Sequence, residues 1–242
     1  MRATRIFILI EEKHRIRERS PSTAVSPNEN EDSTEIFYMT LRTLHRTSAI
    51  LITVFAIVHI TNHLTSLSSV ASHITFMEVA RGIYRQPAIE VLLLFCVAFQ
   101  VVSGLRLVVS AWTQRRGRIA WLQAIAGAYL GFFLLAHVSA ILFGRTVFNL
   151  DTNFYFAAAG FHVHPYQFFF APYYFFAVLA LFTHLGCALY WQAKSNVARK
   201  LAITLPILLG SVIALLIVLS LAGSLKPVEV PEKYKAIYPG GK

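Results

Sequence analysis

Five stretches of the chain are nearly unbroken apolar runs, at about residues 48–67, 88–112, 120–143, 169–192 and 201–222. Each approaches or exceeds the ~20 residues that carry a helix across a ~30 Å hydrocarbon layer. Because unpaired backbone groups cannot face lipid, such runs read as helices. The pattern therefore predicts an all-α, polytopic membrane protein with five transmembrane helices. The first 38 residues break the pattern. Ile6 to Ile10 is too short for a signal-peptide core, and no small-residue cleavage pattern follows. Residues 20–33 are rich in Ser, Pro, Asn and acid and cannot bury a core. The expected division is a polar, disordered extension over 1–38, a membrane domain over 39–224 and a short polar tail over 225–242, with Met39 as an alternative start to Met1.

Composition sharpens this picture. Of the 242 residues, 56% are hydrophobic and 14% charged, with a formal net charge of +10; a soluble domain is roughly one quarter charged. The extension holds six basic and seven acidic residues, whereas residues 39–242 hold sixteen basic and five acidic. The cationic excess thus belongs to the apolar part, which argues against overall disorder and against nucleic-acid binding and places the cations in loops. Five spans put the termini on opposite sides. One side collects Arg42, Arg46, Arg115, Arg116, Arg118, Lys194, Arg199 and Lys200; the other collects Arg81, Arg85, Arg145, Lys226, Lys233 and Lys235. That bias predicts an N-terminus inside and a C-terminus outside. The long outer loop from Arg145 to Pro165 is full of aromatics and is expected to lie at the membrane interface. Cys96 and Cys187 sit apart in apolar runs, so neither a disulfide scaffold nor a Cys-based metal site is indicated.

Two spans share a frame. LHRTSAILITVFAIVH runs from Leu44 to His59, and LQAIAGAYLGFFLLAH runs from Leu122 to His137. The second and fourth spans share another, with QVVSGLRL starting at Gln100 and HLGCALYW at His184, each followed four positions on by a small residue, Gly104 or Ala188. The membrane domain thus reads as two related hairpins plus a fifth helix, with His59, Gln100, His137 and His184 at equivalent positions.

An ionisable side chain within a span is costly and turns to the bundle interior. Histidines on three spans, at His59 (with His63 one turn on), His137 and His184, suit a b-type haem, whose iron takes two axial imidazoles from different helices. At 1.5 Å per residue from Arg46, Arg118 and Lys194, His59 lies at ~20 Å, His137 at ~28 Å and His184 at ~15 Å. His59 and His137 form the outer pair and His184 the inner candidate, with His63, at ~26 Å, an alternate to His59. The competing reading makes each histidine a hydrogen-bonding link between helices. Gly104, Ala126, Gly127, Gly131, Ala136, Gly186 and Ala188 would make room for a macrocycle or for close helix packing.

The chain resembles the membrane-anchor cytochrome b subunits of succinate:quinone oxidoreductases and fumarate reductases, in particular the single-chain, five-helix, two-haem type. The likeness runs over about residues 40–222. Leu44-His45-Arg46-Thr47-Ser48 resembles the family's His-Arg-x-Ser-Gly quinone motif, with Ala49 where glycine is usual. His59, His137 in WLQAIAGAYLGFFLLAH and His184 in THLGCALYW match haem-ligand positions. QVVSGLRL resembles the second-helix ligand segment, His-x-x-x-Gly-x-Arg, but carries Gln100 at the ligand position. A carboxamide is a poor haem ligand, so the resemblance implies one outer haem b, held by His59 and His137, and leaves the inner haem with His184 alone.

The resemblance further implies quinone or propionate contacts from His45, Arg46, Ser48 and Arg106, and flavoprotein and iron–sulfur partners on the inner face. Any dehydrogenase chemistry would reside in those partners, since two separated cysteines cannot bind a cluster; the chain itself would pass electrons between an iron–sulfur partner and membrane quinone. Read without the family, Arg46 is a positive-inside anchor, Ser48 a helix-start hydroxyl and Arg106 a snorkelling cation. Glu90 and Asp151 read as solvated acids or proton acceptors at a quinone site, Glu78 as a loop acid without a role, and His162 and His164 as interfacial loop histidines rather than a zinc site. Tyr155, Tyr166, Tyr173, Tyr174, Trp121 and Trp191 read as an interfacial aromatic belt. The competing function class is a haem-free structural or assembly subunit. A small transporter fits less well, because no span carries a central Gly/Pro interruption.

Overall fold

The computed structural model describes residues 29–240, all helix, turn or irregular segment, with no strand among them. The chain divides into two units, residues 1–41 and 42–242. Of the first, residues 29–41 are helical; the expectation for residues 1–28 lies outside the described residues.

The elements are α1 (Glu29–Thr65), α2 (Val70–Tyr84), α3 (Pro87–Ser110), α4 (Arg118–Thr146), α5 (Phe154–Ala158), a 3₁₀ turn (Ala159–Phe161), α6 (Gln167–Gln192), α7 (Asn196–Leu221) and α8 (Glu232–Lys235). Five of them are long and apolar enough to cross a membrane: Ile36–Thr65 within α1, then α3, α4, α6 and α7. The protein is an integral membrane protein with the five predicted spans. The first helix starts well before the predicted position, at Glu29, so residues 29–38 join it rather than the extension.

Local chemistry sets the boundaries. The Ser69 and Ser195 hydroxyls accept from the backbone N–H groups of Ser72 and Ala198 and cap α2 and α7. Pro87 opens α3, where its missing N–H costs nothing. Gly117, at φ 82°, makes the turn into α4, a backbone conformation that residues with a Cβ rarely adopt. Within the membrane, α6 and α7 pack most intimately. A Cβ on Gly186 would stand 2.8 Å from the Ala202 carbonyl oxygen, and one on Gly210 would stand 2.6 Å from Phe182. Gly186, one of the residues weighed as room for a macrocycle, therefore serves close helix packing.

From Arg42 onward α1 behaves differently. Its backbone stands off from the other helices and reaches them through side chains, notably His45 to Ser103, Ser48 to Gln100, His59 to His137 and Ser66 to Ser220.

The best-packed core is not between the spans but at the end of the bundle that carries α2, the loop from Arg145 to Pro165 and the C-terminal segment, labelled the outer end, with the opposite end labelled inner. Phe154, Ala158, Ala159 and Phe161 pack against Ile217 and Leu221 of α7 and against Val230 and Tyr234 of the C-terminal segment. The aromatic outer loop, expected at the interface, is folded into this core, and so is the segment expected to be a plain polar tail. Polar groups close the same end: Arg81, 7% exposed, pairs with Glu78 at 2.9 Å and Asp151 at 2.8 Å, Arg145 pairs with Glu90, and Arg85 donates to the Thr152 hydroxyl at 3.0 Å. Glu90 and Asp151 are thus ion-pair partners, and Asp151 remains exposed to solvent as well.

Candidate functional site: two groups of histidines

In the outer half of the bundle, four imidazoles form a chain of ring contacts. His137 of α4 lies 6.0 Å from His59 of α1 between ring centroids, His59 lies 4.8 Å from His63, and His63 lies 5.2 Å from His73 of α2. The shared frame explains the first contact, and it extends one turn back. Phe55 stacks on His59 and Phe133 on His137, each four residues earlier on its helix and each at an interplanar angle of 14°. Side chains at i and i+4 share a helix face, so each phenyl sets the plane of its imidazole. Tyr174 closes the other side of His137 at 6.3 Å. Tyr173, assigned to the aromatic belt from sequence, is buried against Phe133.

The far end of the chain is polar and closed. His73 is 2% exposed and Asn62 6%. The Asn62 amide N–H donates to His73 Nε2 at 3.2 Å, which places the His73 proton on Nδ1. His73 Nδ1, His63 Nδ1, Asn62 Oδ1 and Arg81 Nε are buried without a hydrogen-bond partner. Burial, then the neighbouring His59 and Arg81, pushes the His73 imidazole down from 6.5 to about 4, so it is neutral.

Sequence reasoning missed α2 with its His73, missed Asn62 at the end of α1, and named Arg81 only as a loop cation. A signal was present: His73, Met77 and Arg81 recur every four residues and are the buried stripe of that helix. Two of the three are polar, so the stripe does not look like a core face.

The inner half holds a second, separate group. His45 Nδ1 and Ser103 Oγ are 2.7 Å apart, and the Ser103 hydroxyl donates its proton to the Phe99 carbonyl. His184 of α6 meets the Gln123 carbonyl through Nδ1 at 3.1 Å, while Trp191 donates to the Gln123 side chain at 2.8 Å. Gln100, at the position where the resemblance expects a ligand, is engaged elsewhere. Its amide donates to the His45 carbonyl and to Ser48 Oγ, both at 2.7 Å, and Ser48 passes its own proton to the Leu44 and His45 carbonyls. The candidate quinone residues are therefore divided: His45 and Ser48 belong to this inter-helix network, whereas Arg46 and Arg106 are exposed on α1 and α3.

The small residues divide as well. Gly104 and Gly127 lie directly under the His45 and His184 rings, where a Cβ would stand 3.3 Å and 3.0 Å from Cε1, and Gly131 faces open space. Of the outer-loop histidines, His162 donates from Nε2 to the Leu221 carbonyl at 2.9 Å, and His164 accepts from Gln167 at 3.2 Å. Among the described residues, no three His, Cys, Asp or Glu side chains are placed to hold a metal ion.

No protein-family model, curated protein sequence or solved structure matches this chain.

Proposed function

We propose that the protein is a haem-b-binding, quinone-interacting membrane subunit, the anchor of a succinate dehydrogenase or fumarate reductase-like complex. One observation carries the haem part of this reading, the facing of His59 and His137 across the α1–α4 gap. Imidazole nitrogens bind a metal at ~2.0–2.1 Å, so an iron between two of them sets their ring centroids roughly 6 Å apart. The spacing here is 6.0 Å, and the α1 backbone stands off from its neighbours at this depth. The donor set fits too: two neutral imidazoles on facing helices suffice for an iron whose other positions a porphyrin fills.

Haem b, when bound, supplies reversible one-electron chemistry within the membrane. The chain's own contributions are positional. Phe55 and Phe133 hold the two ligand rings in plane, Tyr174 packs against His137, and the outer core shuts water out. The unpaired His63 Nδ1 and the Arg81 Nε–H lie on the same outer side, where a propionate carboxylate would be received.

At the inner end, Arg46, Arg116, Arg118, Lys194, Arg199 and Lys200 are exposed. They form a cationic rim suited to iron–sulfur and flavoprotein partners on the inside of a bacterial or mitochondrial inner membrane. A quinone headgroup would sit near Arg46 and Arg106.

The test is a pair of substitutions. His59→Ala and His137→Ala are each expected to remove the same b-type haem from the purified chain, while Gln100→Leu leaves it in place. Retention of that haem by His137→Ala would contradict the assignment. A folded, stable, haem-free chain that copurifies with partners would favour the structural-subunit reading.

A further inference from the structure

The charges of residues 42–242 are unevenly matched between the two ends. The five acids of that stretch, Glu78, Glu90, Asp151, Glu229 and Glu232, all lie in the outer segments, and four of them form ion pairs there. The inner turns carry Arg115, Arg116 and Arg118 where α3 meets α4, and Lys194, Arg199 and Lys200 where α6 meets α7. Neither turn holds an acid. Like charge gathered without counter-charge repels itself and attracts an anion from outside.

The two inner turns hold their cations differently. At the α6–α7 turn Ser195 caps the helix, and all three cations are exposed. At the α3–α4 turn Arg115 is half-buried and fixed in place. Its Nη2 donates to the Val108 carbonyl at 3.2 Å, and its guanidinium lies 5.3 Å from the Trp121 ring centroid and 6.0 Å from that of Trp112. The two indoles meet edge to face at 4.9 Å. Arg115 Nη1 has no hydrogen-bond partner. Arg116 and Arg118 are exposed on either side of Gly117, which opens α4 without a side-chain cap.

Depth and surroundings select the kind of anion. Tryptophan pairs of this sort sit at the level of lipid headgroups. Next to the turn, Leu105 and Val109 of α3 and Ile125 of α4 are exposed, so acyl chains lie beside the helices directly below the cations. A guanidinium matches a phosphate with two parallel N–H donors.

We infer that the α3–α4 turn is a binding site for the phosphate of an anionic glycerophospholipid from the adjoining leaflet. Arg115 is its fixed cation, and Arg116 and Arg118 close on the headgroup from the exposed side. Charge complementarity carries the assignment: three arginines and no acid, set at headgroup depth above an apolar face. The site is independent of the haem reading and stands or falls without it.

The experiment is native mass spectrometry of the purified full-length chain in detergent, titrated with phosphatidylglycerol or with phosphatidylcholine of the same acyl chains. The variants are Arg115→Gln, the pair Arg116→Gln/Arg118→Gln, and the charge-matched pair Lys194→Gln/Lys200→Gln. The wild type is expected to hold phosphatidylglycerol about fivefold or more tighter than phosphatidylcholine. Arg115→Gln and the arginine pair should each lose about fivefold or more of that affinity, and the lysine pair about twofold or less. Equal binding of the two lipids by the wild type would overturn the site. So would an equal loss in the lysine and arginine pairs, which is the mark of a diffuse attraction to the whole rim. Displacement of the lipid by millimolar inorganic phosphate would make this a free-phosphate site and overturn the lipid assignment. A partner protein retained by the wild type and lost from the arginine pair, with no preference between the lipids, would replace the lipid by a protein contact. If Arg115→Gln does not fold, the exposed arginine pair decides alone.

Discussion

The two halves of the bundle hold their histidines in opposite ways. In the outer half, His137, His59, His63 and His73 touch ring to ring, and the group is closed by buried, partly unpaired polar atoms under a folded cap. In the inner half, His45 and His184 are each bound by Nδ1 to a different helix and rest on glycine. The outer group is coupled, so a change at one ring is felt by the next. The inner rings are set separately, by hydrogen bonds that fix their tautomers. Burial is the physical reason. The outer cap buries polar groups such as His73, Asn62 and Arg81, which must find partners or stay neutral; the inner end is ringed by exposed cations and carries an Arg115–Trp112–Trp121 cluster.

Acid is expected to break the comparison most strongly. His73 is held neutral, with its imidazole pushed from 6.5 down to about 4. A group whose folded value is depressed contributes stability above its unfolded value and loses it as pH falls. The loss therefore begins near pH 6.5 and is complete near pH 4, amounting to up to about 3 kcal/mol. Thermal unfolding in detergent from pH 7 to pH 4.5 should show it, and His73→Phe should flatten the curve. An unchanged slope in His73→Phe would show that the acid sensitivity lies elsewhere.

Gly186→Val should separate α6 from α7, because its Cβ would meet the Ala202 carbonyl oxygen at 2.8 Å. The expected cost is about 2–3 kcal/mol, read as a lower unfolding midpoint. Arg81→Leu removes the cation that holds Asp151 and Glu78. Both acids are partly exposed and regain water, so the cost is about 2 kcal/mol; Arg116→Ala at the exposed inner rim should fall within about 0.5 kcal/mol of wild type. Between these two falls Gln100→Leu, which deletes two hydrogen bonds between α1 and α3. It should cost about 1–2 kcal/mol and leave haem content unchanged, since its amide is engaged with α1.

Much of this arrangement was legible in the sequence where the signal is local. Five apolar runs of spanning length became five spans, and the sixteen-residue frames ending in His59 and His137 mark the two rings that meet across the bundle. The misses share a cause. The buried stripe of α2 is mostly polar because its partners, Asn62, Phe154 and Asp151, come from other parts of the chain. The outer loop and the C-terminal segment looked interfacial or plain because Phe154 and Tyr234 acquire their burial from each other and from α7, across some eighty residues of sequence. The engagement of His45 was hidden for the same reason: its partner is Ser103, fifty-eight positions away.

The most direct measurement is the reduced-minus-oxidised absorption spectrum of the purified full-length chain, with haem quantified against protein. A b-type spectrum with low-spin bis-imidazole character, lost from the outer site in His137→Ala, is the predicted result. A folded wild-type chain that carries no haem after expression with ample haem supply would contradict the account.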